Sequence, residues 1–139
     1  MANPLEILKG IKIKVTVEKG GGISELISRV FTTRNLVHFA HWSTKSFASH
    51  SALGELYENI IDETDNLVET YQGEFGLIEH LCTEKAELSK DIIGVIQADA
   101  DWIKANRNTI ACGSTVIENL LDGLSGAYNK TLYKLKNLS

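Results

Sequence analysis

No apolar run in these 139 residues approaches the roughly 18 needed to span a bilayer. The N-terminus also lacks the basic, then apolar, then small-residue order of a secretory leader, so a cytoplasmic chain without membrane contact is expected. Cysteine is equally sparse. Cys82 and Cys112 stand alone, with no C-x-x-C and no Cys/His cluster spacing, and read as buried or idle thiols in a reducing compartment. An excess of positive charge is missing too: 14 Lys and Arg against 18 Asp and Glu leave a net charge of −4, which argues against a general phosphate-neutralising surface.

What is present is ordinary globular composition, 43% hydrophobic and 23% charged, in a chain long enough to bury one core without disulfides. Two parts are expected. Residues 1–22 form a weakly basic arm, with Lys9, Lys12, Lys14 and Lys19 against Glu6 and Glu18. Within it, 11–18 alternates apolar and polar residues at the period of a half-buried strand, and 5–8 could pair with it through Lys9-Gly10; a flexible tail is the alternative. Gly20-Gly21-Gly22 ends the arm, because three glycines favour no regular element.

From 23 to 139 the period is helical. Four helices are predicted, over 24–44, 46–72, 83–106 and from Thr115 onward, with Gly73 stopping the second and a connection over 73–83. The first carries Leu26, Ile27, Val30, Phe31 and Val37, and the second stacks Phe47, Leu53, Leu56, Tyr57, Ile60, Ile61, Leu67 and Val68. Leu88, Ile92, Val95, Ile96, Trp102 and Ile103 line the third. The last opens on a Thr115/Glu118 capping box and runs through Ile117, Leu121, Leu124, Tyr128, Leu132 and Leu135. Short first and last joins with a longer middle one fit a four-helix bundle with one crossover.

Three of the four histidines, His38, His41 and His50, cluster near the first helix junction, and Asp62, Asp65 and Glu69 follow along the second helix. Imidazole and carboxylate together form the mixed ligand set that suits iron, manganese or zinc. A bundle-core di-iron centre needs Glu-x-x-His motifs, and this sequence has none. Helical rise separates His50 from Asp65 by about 22 Å, too far for one chain to close a site with both. Two chains could do so if their second helices lay antiparallel about a two-fold axis.

The run His41-Trp42-x-x-Lys45, Phe47, His50 and then Asp65-x-x-x-Glu69 resembles the Dps branch of the ferritin-like superfamily. That resemblance implies an all-α ferritin-like subunit, a dimer as the minimal homo-oligomer, a closed dodecamer as the larger one, and iron oxidation at a site shared between two subunits. His41 and His50 would come from one subunit and Asp65 and Glu69 from its mate. The family spaces its two histidines twelve apart with a glycine between, whereas His41 and His50 are nine apart and Ser46 stands where the glycine would be. His38 has the twelve-residue spacing but is followed by Phe39, so both His38 and His41 remain candidates for the first ligand. Gly54 occupies the place of a further carboxylate, with Glu55 next to it. With Tyr71-Gln72-Gly73, the chain is also similar to small ferritin-like proteins of marine bacteriophages. DNA binding, which the family also implies, has only the four lysines of the arm behind it.

Each of these residues has a plainer reading. The histidines can be caps or satisfied core groups, and the acids a solvated stripe. Trp42 and Trp102 read as core or interface packing, His80 as exposed, and Glu118 and Asp122 as solvent-facing. The alternative function is therefore a structural or assembly bundle whose metal centre is degenerate.

Overall fold

The computed structural model describes residues 22–138, and these hold four helices and no strand: α1 (Ile23–Ser43), α2 (Phe47–Phe75), α3 (Ile92–Ala111) and α4 (Thr115–Asn137). The strand expected at 11–18 lies outside the described residues. Local chemistry accounts for the ends. Ser46 caps α2 by accepting from the Ser49 N–H, Asp91 caps α3 through Gly94, and Ser114 caps α4 through Ile117. Ser114, rather than the predicted Thr115, is thus the cap of α4. The expected capping box does not form, because with Ser114 as the cap the third helical position is Ile117; the Glu118 carboxylate lies 3.7 Å from Arg107.

Two further boundaries differ from expectation. Gly73 continues α2, and the helix stops at Gly76, whose φ of 97° is open to glycine and poorly tolerated by other residues. The third helix begins at Ile92 rather than 83 and reaches Ala111. The stretch 83–91 before it has little to bury: Leu88 is its one large apolar side chain, and all nine residues are exposed. An extended chain also climbs about 3.3 Å per residue against 1.5 Å for a helix, which suits a connection that must travel the length of the molecule.

That travel follows from helix direction. α1 packs on α2 and α3, and α4 packs on α2 and α3, leaving α1–α4 and α2–α3 as the diagonals. Ser114 meets Glu74 and Lys134 meets Glu55, so α4 runs antiparallel to α2. Arg29 lies over Trp102 while Thr33 meets Asp99, so α3 runs antiparallel to α1. Consequently α2 and α3 point the same way, and the connection 76–91 crosses from one end to the other, with the Glu84 N–H donating to Thr32 Oγ1 on the way.

The core is built from Leu26, Val30, Val37, Leu53, Leu56, Ile60, Leu67, Ile96, Ile103 and the α4 stripe Ile117, Leu121, Leu124, Tyr128 and Leu132. Each fully buried aliphatic side chain contributes about 1.5–3 kcal/mol. Phe47, expected in the core, is 82% exposed, because it opens α2 at the junction, outside the ring of helix contacts. Trp42 is 65% exposed, which removes the core alternative for it, and both cysteines are exposed, Cys82 on the connection and Cys112 at the turn after α3, which removes the buried one.

One charged group sits inside the core. Asp99 is 4% exposed and accepts from Thr33 Oγ1 at 2.5 Å and from the fully buried Tyr128 hydroxyl at 2.9 Å, with Arg29 at 3.4 Å on its other oxygen. Burial pushes its carboxyl above the usual 3.8, against the pull of these three donors, and it pushes the Tyr128 phenol well up. On the surface, Arg107 grips Asp122 through two hydrogen bonds of 2.6 and 2.9 Å and reaches Glu118, stitching α3 to α4. Those two acids are paired, not merely solvated.

Asp99→Ala would strand the Thr33 and Tyr128 hydroxyls and is expected to lower unfolding free energy by about 3 kcal/mol, measured by urea denaturation; Tyr128→Phe should cost about 1.5–3 kcal/mol. Because the raised carboxyl holds its proton more tightly in the folded chain, the stability it contributes is full below about 3.8 and declines as pH rises through the folded value. Unfolding curves from pH 3 upward should accordingly show wild type losing stability relative to Asp99→Asn.

Candidate functional site

The join between α1 and α2 is short and tightly bonded. Thr44 ends α1 in extended backbone with its N–H on the Ala40 carbonyl, the Ser46 N–H donates to Thr44 Oγ1, and Ser46 then caps α2. The last turn of α1 is thereby folded against the first turn of α2. His41 and His50, each about one turn from the bend, are brought level.

Their rings stack with centroids 3.7 Å apart and planes inclined by 20°. His41 Nδ1 donates to the His50 carbonyl at 2.7 Å, and His50 Nδ1 donates to the His41 carbonyl at 2.9 Å. A carbonyl can only accept, so Nδ1 carries the proton in both rings. In the neutral ring that leaves Nε2 as the lone-pair nitrogen, the arrangement by which a backbone carbonyl orients a metal-binding imidazole. The nine-residue spacing is therefore what makes the pair meet across this turn.

His38, one turn deeper, does not join the pair. Its ring stacks on Tyr57 at 3.9 Å, tilts against Trp42 at 4.4 Å and stands edge-on to His41 at 6.1 Å. Desolvation, then the Arg34 and His41 charges, hold His38 below the ordinary histidine value, with Glu58 opposing. Arg34 also lies over the Tyr57 ring, 5.2 Å from its centroid. Asp62, Asp65 and Glu69 are exposed along the continuous α2, far from the bend. Among the described residues, no three His, Cys, Asp or Glu side chains come together in a way that could hold a metal ion.

Gly54, which stands where the resemblance puts a further carboxylate, has a steric role in the structure. A Cβ there would stand 3.0 Å from His41 Cε1 and 3.2 Å from Nδ1, so the absence of a side chain lets the ring lie against α2. Gly54 falls one helical turn after His50, the face on which such a contact should be sought. Glu55 is engaged elsewhere, with Lys134 at 2.5 Å, a bond that lowers its carboxyl. The other group missed was Asp99, although it interrupts the apolar stripe Ile92-Ile96-Ile103 at a core position.

Gly54→Ala should displace the His41 ring and weaken its bond to the His50 carbonyl. Imidazole nitrogen resonances read by NMR should report a loss of the fixed Nδ1–H form. Alanine's better helix propensity, about 1 kcal/mol, should keep overall stability close to wild type.

No curated protein and no solved structure matches the chain. A family model does match, over residues 41–135, a span that opens on His41 and takes in His50, Asp65 and Glu69. The chain belongs to the family of unknown function DUF5856.

Proposed function

We propose that two copies of this chain associate and bind a divalent transition metal, with ferrous iron as the substrate ion, through His41 and His50 of one copy and Asp65 and Glu69 of the other. The observation that carries the reading is the reciprocal clamp: both Nδ1 protons are committed to backbone carbonyls, so both Nε2 atoms are left for a ligand. The donor set fits the ion, since imidazole nitrogen with carboxylate oxygen suits Fe(II), Mn(II) and Zn(II). Helices running up, down, down and up, with α2 and α3 on a diagonal, are read here as ferritin-like. A dodecamer of such dimers is the larger assembly that reading carries.

A second copy is the natural source of the acids because α2 is one uninterrupted helix, and by helical rise its own Asp65 and Glu69 stay about 22 and about 28 Å from His50. Trp42 and Phe47, exposed beside the imidazoles, would lose water contact in that association. His38 backs the site from the Tyr57 stack, and Asp62 extends the acidic stripe by one turn. Bound Fe(II) would supply the electron that passes to dioxygen. The chain's part is to hold the two imidazoles in one tautomer and orientation.

A structural bundle without metal chemistry is the competing reading, favoured by Gly54 and Glu55. The place of a further carboxylate has no side chain, and the neighbouring acid is held by Lys134.

Mixing separates the two readings. His41→Ala/His50→Ala and Asp65→Ala/Glu69→Ala proteins should each fail to retain Co(II) or to consume oxygen with Fe(II). Unfolded together and refolded in equal amounts, they should regain about a quarter of wild-type capacity, because half of the dimers are mixed and each carries one intact site of two. No recovery, or a monomer by sedimentation at all concentrations, would leave the structural module.

A further inference from the structure

Away from the histidine junction, a cleft of about 500 Å³ opens between α1, the N-terminal half of α3 and the crossing connection. It is long rather than round. Its α1 wall runs from Glu25 through Arg29 and Thr32 to Leu36, about 17 Å at 1.5 Å per residue, a length that about five residues of extended chain would span. The connection lines the other side with alternate residues, His80, Cys82 and Glu84, as a strand does. Over 79–88 the Glu84 N–H, on Thr32 Oγ1, is the one main-chain group with a hydrogen bond among the described residues. Extended chain with unpaired backbone is a surface on which a second extended segment can settle.

The charges around the cleft select the kind of segment. Arg29 is already held by Glu25 at 3.1 Å and Asp99 at 3.4 Å, and the His80 imidazole lies 3.8 Å from Cys82 Sγ. The Glu84 carboxylate has no ion-pair partner among the described residues, and along 76–91 Glu79, Glu84, Glu87 and Asp91 outnumber Lys85 and Lys90. Leu36 and Val95 supply apolar wall, and Leu81 on the connection is 59% exposed. An extended occupant with one aliphatic side and a positive charge fits all of these.

The chain carries such a segment outside the described residues. Residues 11–17 alternate Ile11, Ile13, Val15 and Val17 with Lys12, Lys14 and Thr16, so a strand there has one aliphatic side and one that bears two ammonium groups. It also ends in the right place. α1 starts at Ile23, two residues before Glu25 in the wall, and Gly20-Gly21-Gly22 allows the chain to turn back along the helix. Running back, the segment would lie antiparallel to the connection, which ascends beside α1. The tether keeps it at an effective concentration on the order of millimolar, which the arm of a second copy in dilute solution does not match.

We propose that residues 11–17 of the chain's own N-terminal arm dock in this cleft as a strand beside the connection, with the aliphatic side against Leu36, Val95 and Cys82 and with Lys12 and Lys14 at the acidic rim. The proposal does not rest on the metal reading and shares no residue with the histidine junction.

Disulfide trapping in the full chain tests it, with Cys112→Ser leaving Cys82 as the single native thiol. Ile13→Cys, Val15→Cys and Val17→Cys are introduced one at a time and oxidised with copper phenanthroline. At least one should form an intramolecular disulfide with Cys82, read by peptide mass in a monomeric band, about tenfold faster than Lys12→Cys, Lys14→Cys and Thr16→Cys on the other side of the strand. Equal rates on both sides would overturn the proposal, since a loose tail would reach Cys82 without regard to side. Disulfide-linked dimers in place of monomers, which put the arm in a second copy, or no disulfide at any position would overturn it equally. Hydrogen exchange gives a readout without new thiols: amides of 79–88 should exchange about tenfold more slowly in the native chain than in Ile13→Lys/Val15→Lys, with the core of α4 unchanged in both. Equal exchange of 79–88 in the two proteins would also sink the docking.

Discussion

A carboxylate buried in an apolar core must be surrounded by donors, and Asp99 obtains them from two other helices: Thr33 and Arg29 on α1 and Tyr128 on α4. Apolar stripes can slide against one another at modest cost, whereas a buried charge stripped of partners is heavily penalised. The network therefore sets how far α3 can shift along α1 and α4. With α1 and α3 antiparallel and in this register, the end of α2 is left far from the start of α3, and the connection has to cross. The crossing is what builds the cleft against α1.

α2 takes no part in that network and is held differently. Its apolar face meets α1 and α4, its C-terminal end is tied to α4 by Ser114 and Glu74, and its N-terminal end is tied by Lys134 and Glu55. The imidazole clamp adds a fourth attachment, at the bend itself. Those four restraints leave the outward face of α2, with Asp62, Asp65 and Glu69, free for solvent or for a second chain. Imidazoles are thus gathered at the bend and carboxylates along one exposed helix face, and the four restraints on α2 hold both in place.

Much of the helical frame was legible in the residues. Period-3.6 stripes such as Ile117-Leu121-Leu124-Tyr128-Leu132 can be buried in one way only, and the short joins force neighbouring helices to be antiparallel. Boundaries were less legible. Gly73 read as the stop, yet α2 runs on to Gly76, which takes positive φ; Thr115 read as the cap, yet the backbone that turns at Gly113 presents Ser114 in that place. Residues 83–91 contain helix formers, but a stretch with one large apolar side chain gains little from packing, and crossing the molecule favours extended chain.

The sequence by itself determined the helix count, the core stripes, the grouping of histidines at one junction and the inability of one chain to join them to Asp65 and Glu69, because all of these follow from period and rise along a single rod. Tertiary structure alone decided that His41 and not His38 faces His50, that Gly54 is empty to admit a ring, that Trp42 and Phe47 point outward, and that Asp99 lies at the centre of a three-helix network. Each of these is a relation between residues on different elements, and it depends on how those elements turn and dock, which no spacing within one element encodes.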